Sequence, residues 1–241
     1  MPFPEFKSEA FTSYRAESRR MVVGIVAGLT LAIGAMAALP VMAQQDADAP
    51  TMDKMEGTET AIFAGGCFWC VESDFDKVPG VLSTVSGYIG GANDNPTYKN
   101  HTSAGHREAV QITYDPDVVG YGTLLEVFWT SVDPTDEGGQ FCDRGFSYTT
   151  AIYATDEAQL KAAEASSEEF AQSLDKPIVT EIVAAPTFWP AEDYHQDYHA
   201  KNPIRYNYYR RACGRDGTVG DVWGEMAYEK LNELKAGDKK S

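Results

Sequence analysis

Basic residues are scarce in this 241-residue chain: 20 Lys and Arg stand against 36 Asp and Glu, a formal net charge of −16. A surface of that sign repels nucleic-acid phosphates and anionic lipid headgroups, so neither is an expected partner. Cysteine is scarce too. Cys67, Cys70, Cys142 and Cys213 are too few for a disulfide-dense scaffold, and two of them stand three residues apart. Two structural bridges are one expectation for four cysteines in an exported chain; a redox function is the other. There is no internal repeat, which excludes a solenoid.

The first residues carry Arg15, Arg19 and Arg20, then an uncharged run from Met21 to Leu39, then Pro40-Val41-Met42-Ala43 and the polar Gln44-Gln45. This is the pattern of an export signal, with Val41 and Ala43 as the small residues before a cut after Ala43. The run could just span a bilayer, so an uncleaved anchor is the alternative, and the chain meets a membrane only in that case. Ser18-Arg19-Arg20 hints at twin-arginine export. Either route places the body of the protein in the periplasm, free or anchored. Residues 44–59, with Asp46, Asp48, Asp53, Glu56 and Glu59 and no apolar period, read as a disordered acidic linker. The chain beyond the linker is long enough for one domain with a proper core: a catalytic domain over 60–214 and a C-terminal extension over 215–241.

Strand and helix patterns interleave along that domain. An apolar β-type run, Ala61-Ile62-Phe63-Ala64, meets Gly65-Gly66, and a helix is expected from Cys67 to about Lys77. Pro79-Gly80 breaks it, and Val81 to Tyr88 reads as strand, closed by Gly90-Gly91. Arg107 to Tyr114 alternates cleanly, which puts Glu108 on the same face as Val110, Ile112 and Tyr114. A carboxyl there is paired, desolvated with a raised pKa, or reaches water at the strand end. Helices are expected around Leu124–Val132 and over Asp156–Leu174, and strands over Thr149–Ala154 and Ile178–Ala184. Ala191 to His199 looks helical. From Asn202 onward the chain reads as loop-rich, with a short helix from Glu225 to Leu234. The sum is an α+β fold in two layers around a mixed sheet.

The chemistry concentrates at Cys67. Unpaired N–H groups and the positive end of a helix dipole favour thiolate over thiol, so a cysteine at a helix start is expected to have a lowered pKa. The alternative is a buried, inert cysteine. The Cys67-x-x-Cys70 spacing invites a thiol–disulfide oxidoreductase reading. Against it, Phe68 and Trp69 are large apolar groups suited to holding a methyl substituent rather than docking protein disulfides. On a regular helix, residues i and i+3 also hold their Cβ atoms ~5 to 6 Å apart where a disulfide needs ~4 Å.

Gly66-Cys67-Phe68-Trp69 with Glu72, Gly87-Tyr88, Gly90-Gly91, Asn95-Pro96-Thr97-Tyr98, Gly105-His106 with Glu108, Tyr114-Asp115-Pro116, and Phe128-Trp129 with Asp133-Pro134 occur in order. Together they resemble peptide methionine sulfoxide reductase of the A class, over about Thr60 to Gly214. The resemblance implies a single-domain, two-layer α/β sandwich around a mixed sheet with long coil segments, and reduction of the S epimer of methionine sulfoxide, in proteins or free. Carried over by position, it makes Cys67 the nucleophile, Phe68 and Trp69 the methyl pocket and Glu108 the proton donor. Tyr98 and Tyr148 would hold the sulfoxide oxygen, with Asp143 bonding on the substrate side. Sulfoxide oxygen leaves only when protonated, so a thiolate attacking sulfur needs an acid beside it. Attack leaves a Cys67 sulfenic acid, which a second thiol condenses to a disulfide that an external, thioredoxin-like dithiol resets. No bound cofactor is implied, and a monomer is expected.

Position 70 is glycine in the commonest family form, so Cys70 adds a candidate for that second thiol. Cys213, among Arg210, Arg211 and Arg215, is expected to resolve; Cys142, beside Asp143, ranks second and Cys70 third. His195 and His199, with Asp193 and Asp197, have zinc-like spacing but lack the glutamate of a zinc-protease helix, and no metal is expected. His106 is read as orienting, and Tyr194, Tyr198, Tyr206, Tyr208 and Tyr209 as packing.

Overall fold

The computed structural model describes residues 57–238. The expected export signal, and all of the expected linker before Gly57, fall outside those residues. Strand β1 (Glu59–Ala64) leads through Gly65-Gly66 into helix α1 (Phe68–Phe75), followed by β2 (Val81–Ile89) and β3 (Arg107–Tyr114). Helix α2 (Tyr121–Trp129) precedes a short hairpin of β4 (Gly139–Gln140) and β5 (Asp143–Arg144), then β6 (Ala151–Ala154) and α3 (Glu157–Ala171). Strands β7 (Glu181–Ala184) and β8 (Phe188–Pro190) complete a six-stranded sheet of order β7-β6-β1-β3-β2-β8. Only β6 and β7 pair in parallel; the other neighbours are antiparallel, so the sheet is mixed, as expected.

Period-two alternation divides the strand residues between two apolar clusters. Ala61, Phe63, Val110, Ile112 and Tyr114 face α1, α2 and the C-terminal helices. Ile62, Ala64, Ala109 and Tyr153 form a smaller cluster on the other face. Phe63 anchors the larger one, with ring centroids 5.3 Å from Phe75 and 5.0 Å from Phe128.

Two sequence expectations give way. Ala191 and Glu192 have no regular structure, Asp193 to Asp197 is a run of turns, and only Tyr198–Lys201 (α4) is helical there. The segment from Asn202, expected to be loop-rich, is helical: α5 (Pro203–Ala212), α6 (Arg215–Trp223) and α7 (Glu229–Asp238). Nor does the chain past Gly214 stand apart from the domain, because Val219, Trp223 and Leu231 are buried in the larger cluster and Trp223 Nε1 donates to the Val132 carbonyl at 2.8 Å. Among the described residues no helix is long and apolar enough to cross a membrane.

The turn that delivers Cys67 depends on Gly66. Its φ is +84°, and an added Cβ would stand 2.7 Å from Cβ of Gln140. Gln140 cannot yield: it is fully buried, donates to the Asp133 carbonyl at 2.7 Å and accepts from the Asp133 amide at 2.9 Å. Gly66→Ala is therefore expected to cost about 1–2 kcal/mol for the left-handed backbone and a similar amount for overpacking. Denaturant unfolding measures this, and a stability equal to wild type would show that the turn has another conformation.

Candidate active site

Cys67 is the N-cap of α1, with φ −51° and ψ 120°, so it lies outside the helix while its carbonyl accepts from the Cys70 amide at 3.0 Å. The regular-helix distance limit on Cys67 and Cys70 therefore does not apply to this pair. Their thiols are free and both buried, and each shifts the other's pKa.

Glu108 reaches the same turn from β3. Its Oε2 accepts from the Phe68 amide at 3.0 Å, and its Oε1 is 3.7 Å from Nε2 of His101, whose pKa burial lowers. The strand alternation placed Glu108 correctly: it is 2 % exposed, and burial first, with Asp143 and Cys70 adding, raises its pKa from 4.5 to about 8.

The expected lowering of the Cys67 pKa is overturned. Burial raises it, and the hydrogen bond and charge of Cys70 and the nearby Glu108 raise it further; Tyr209 opposes weakly. The physical reason lies in the helix start. The Phe68 amide that would have faced a thiolate is spent on Glu108, and Cys67 makes no side-chain cap bond. At rest the site is a protonated carboxylic acid beside a protonated thiol, and the groups titrate together.

Around this pair Cys67, Phe68, Trp69, Tyr98, Glu108, Asp143, Tyr148 and Tyr209 line a cavity of about 70 Å³. Seven of the eight are residues expected from the sequence; Tyr209 is the addition. Larger grooves, of about 550 Å³ between α2, α3 and α7 and about 410 Å³ between α5 and α7, contain no thiol. Burial raises the pKa of Tyr98, Tyr148 and Tyr209, so three hydroxyls facing the cavity remain protonated and able to donate. Burial also raises Asp143, which accepts a hydrogen bond from the Tyr209 hydroxyl.

The apolar wall is fixed by residues read as packing. Trp69 stacks on Tyr198 with centroids 3.7 Å apart, and its indole N–H donates to Nδ1 of His195 at 3.1 Å. The ring of His195 is also 5.0 Å from Phe68. With Nδ1 accepting, His195 is the Nε2–H tautomer, and burial lowers its pKa. His199 turns elsewhere, to Asp76 at 3.4 Å, so the two histidines do not converge as ligands. His106 orients a loop: Nδ1 accepts from the Gly91 amide at 3.1 Å. Glu192 ties Tyr98 in place through its backbone amide at 3.0 Å and binds the Tyr88 hydroxyl at 2.9 Å. The sequence signal for these partners was only the aromatic and acidic density of 192–209, which does not say what lies across the pocket.

Cys142 and Cys213 are joined in a disulfide. Cys142 is exposed, and Cys213 Sγ lies 3.7 Å from Asp143 Oδ2, at the edge of the cavity. In this state neither of the first two candidate resolving cysteines offers a thiol; Cys70 does.

Glu108 couples the site to stability. A carboxyl whose folded pKa is raised favours folding below its unfolded pKa, and that contribution is lost as pH climbs toward and through about 8. Glu108→Gln should flatten the fall in stability between pH 5 and 8. Denaturant midpoints at the two pH values test this, and an unchanged slope would mean that Glu108 is ionised in the fold.

Comparison with known proteins identifies the family and the fold. The family model described as peptide methionine sulfoxide reductase matches residues 59–227. The chain is 58% identical over 168 residues to peptide methionine sulfoxide reductase MsrA 2 of Rhizobium meliloti (strain 1021), covering 70% of this chain and 85% of that one. It is 53% identical over 179 residues to MsrA of Bacillus licheniformis, covering 73% and 99%. Among solved structures, methionine sulfoxide reductase A of Corynebacterium diphtheriae superposes with a TM-score of 0.57 at 34% identity, over 62% of this chain and 77% of that one. The reduced form of Mxr1 from Saccharomyces cerevisiae gives 0.59 at 29%, over 61% and 87%.

Proposed function

The chain belongs to the peptide methionine sulfoxide reductase family, an enzyme of the peptide-methionine (S)-S-oxide class, and from that premise we propose how its residues divide the work. The observation that carries the proposal is the convergence of Cys67, Glu108 and three protonated tyrosines on one small cavity. The substrate methyl group lies against Phe68 and Trp69, and the sulfoxide oxygen receives hydrogen bonds from Tyr98 and Tyr148. Asp143, held by Tyr209, bonds on the substrate side.

As the Cys67 sulfur attacks the substrate sulfur, Glu108 gives its proton to the oxygen. A carboxyl with a pKa of about 8 has that proton to give at neutral pH. The Cys67 thiol proton replaces the one Glu108 gave, the substrate S–O bond breaks as the oxygen passes to the Cys67 sulfur, and methionine leaves with Cys67 oxidised to the sulfenic acid. Cys70 then condenses with it, releasing water and forming a Cys67–Cys70 disulfide. Two features support Cys70 over Cys213: the free thiol three residues from Cys67, and the non-helical backbone of Cys67. An external dithiol protein of the thioredoxin type restores the thiols. The competing role, general thiol–disulfide exchange at Cys67 and Cys70, is disfavoured because Cys67 is 7 % exposed at the floor of a cavity too small for a protein disulfide.

Incubation with each epimer of a methionine sulfoxide substrate and dithiothreitol tests the reading: the S epimer is consumed and the R epimer is not. Cys67→Ser abolishes product. Without reductant, Cys70→Ser still yields one methionine per enzyme and accumulates trappable sulfenic acid. Glu108→Gln slows the first turnover by about 10²–10⁴-fold. Consumption of the R epimer alone, or undiminished turnover in Glu108→Gln, sinks it.

An exported location, and with it a periplasmic reductant, is proposed from residues 1–43. Amino-terminal sequencing of the protein from its host should begin at Gln44; an intact Met1 in the membrane fraction identifies an anchor instead.

A further inference from the structure

Behind the cavity lies a buried charge cluster that the proposed attack on the sulfoxide does not use. Asp74 is one helical turn beyond Cys70 on α1, so the two side chains share a face, and that face meets α5 and α6. Arg210 of α5 places Nη1 2.9 Å from Asp74 Oδ1, and Arg215 of α6 places Nε 3.8 Å from Oδ2. Arg215 is 2 % exposed and donates through Nη1 to the Gly65 carbonyl at 3.0 Å and through Nη2 to the Ser131 carbonyl at 2.9 Å. Its Nε has no hydrogen-bond partner, and neither does Asp74 Oδ2.

Two guanidinium charges thus face one buried carboxylate. Asp216, 2.8 Å from Arg210, offsets part of the excess from the exposed rim. A buried cationic N–H without a partner is costly, and an anion on the same face recovers part of that cost. Cys70, 2 % exposed, supplies a group that can become one.

We infer that Arg210 and Arg215 are positioning residues that hold Cys70 as the thiolate which attacks the Cys67 sulfenic acid. This rests on Cys70 being the resolving cysteine. In the step, the Cys70 thiolate forms the S–S bond as the S–O bond of the sulfenic acid breaks. The departing hydroxide takes a proton from the site to leave as water. Cys70 is oxidised and the Cys67 sulfur is reduced, with no oxidant beyond the sulfoxide already consumed.

The ionisable groups near enough to act on the charge of Cys70 are Cys67 from the preceding turn, Glu108 from β3, Asp74 on its own helix, Tyr206 and Arg210 from α5, and Arg215 from α6. Tyr228 and Asp216 lie beyond the arginines. The Cys70 pKa is lowered, first by the hydrogen bond from Cys67 and then, against burial, by Arg215 and Arg210; Asp74 works the other way.

The test mixes reduced enzyme with one equivalent of methionine-S-sulfoxide without reductant. Quenching at millisecond intervals between pH 5 and 9, with peptide mapping, quantifies the Cys67–Cys70 disulfide. Arg210→Met should move the pH limb of disulfide formation up; a one-unit move slows the step about tenfold below the limb, where rate follows thiolate fraction. Asp74→Asn should move the limb down. Loosened packing does not produce opposed shifts. Arg215→Lys keeps the charge and should keep the limb; if it fails to fold, the Arg210 and Asp74 variants still decide. An unmoved limb in both, or shifts of the same sign, overturns the inference while leaving Cys70 as resolver. Disulfide formation on Cys67 at the wild-type rate in Cys70→Ser overturns both.

Discussion

The hydrogen bond from the Phe68 amide to the Glu108 carboxyl is the constraint on which the site depends. It joins the first residue of α1 to the second residue of β3, forty positions away, and so brings the acid on a strand to the nucleophile in the turn that opens α1. It bears on protonation too, although by itself the bond favours the Glu108 carboxylate and burial outweighs it. An amide given to the acid is withheld from the thiol, and the shared burial keeps both protonated, since two adjacent anions in a desolvated cavity repel strongly. The usual logic of a helix-start cysteine, a thiolate poised by the dipole, is thereby inverted: the acid comes first, and the proton that must reach the sulfoxide oxygen is already in place.

The rest of the fold supports that bond. Gly66 gives the backbone the left-handed turn that lifts Cys67 out of the helix, and buried Gln140 closes the space a side chain would need. Trp69 is held flat by Tyr198 and fixed in rotation by His195, so the apolar wall is rigid before any substrate arrives. Rigidity here has a chemical purpose: a methyl group and a sulfoxide oxygen differ little in size, and a wall that cannot shift lets the hydroxyls choose between them.

The parts of this arrangement legible in the sequence were those written in local periodicity. Alternation over Arg107–Tyr114 put Glu108 on the core face, and Gly-Gly before an amphipathic run put Cys67 at a helix start. The thiol's protonation was not legible, because it depends on which distant group claims the Phe68 amide. The 203–223 segment was missed for a related reason. Its helices bury Arg215 and pack Tyr206, Tyr209 and Arg210 inward, so hydrophobic periodicity, which assumes charges face water, finds no stripe. Strand β8 is three residues long, contains Pro190 and exists only by pairing with the edge of β2. The roles of Tyr209 and His195 likewise come from contacts across the pocket, invisible to spacing along the chain.

A buried cluster of two arginines and one aspartate is a costly way to hold three helices together. Apolar residues of the same volume would serve stability at least as well, since desolvating charges consumes much of what their attraction returns. Arg215 reaches both the carbonyl of Gly65, just before the Gly66 turn, and that of Ser131, and in doing so fixes the backbone that carries Cys67. A neutral side chain with the same donors could do that mechanical work. It could not supply positive charge on the far side of Cys70, so the charge itself, rather than the tether, is the property that ties α5 and α6 to the thiols at the start of α1.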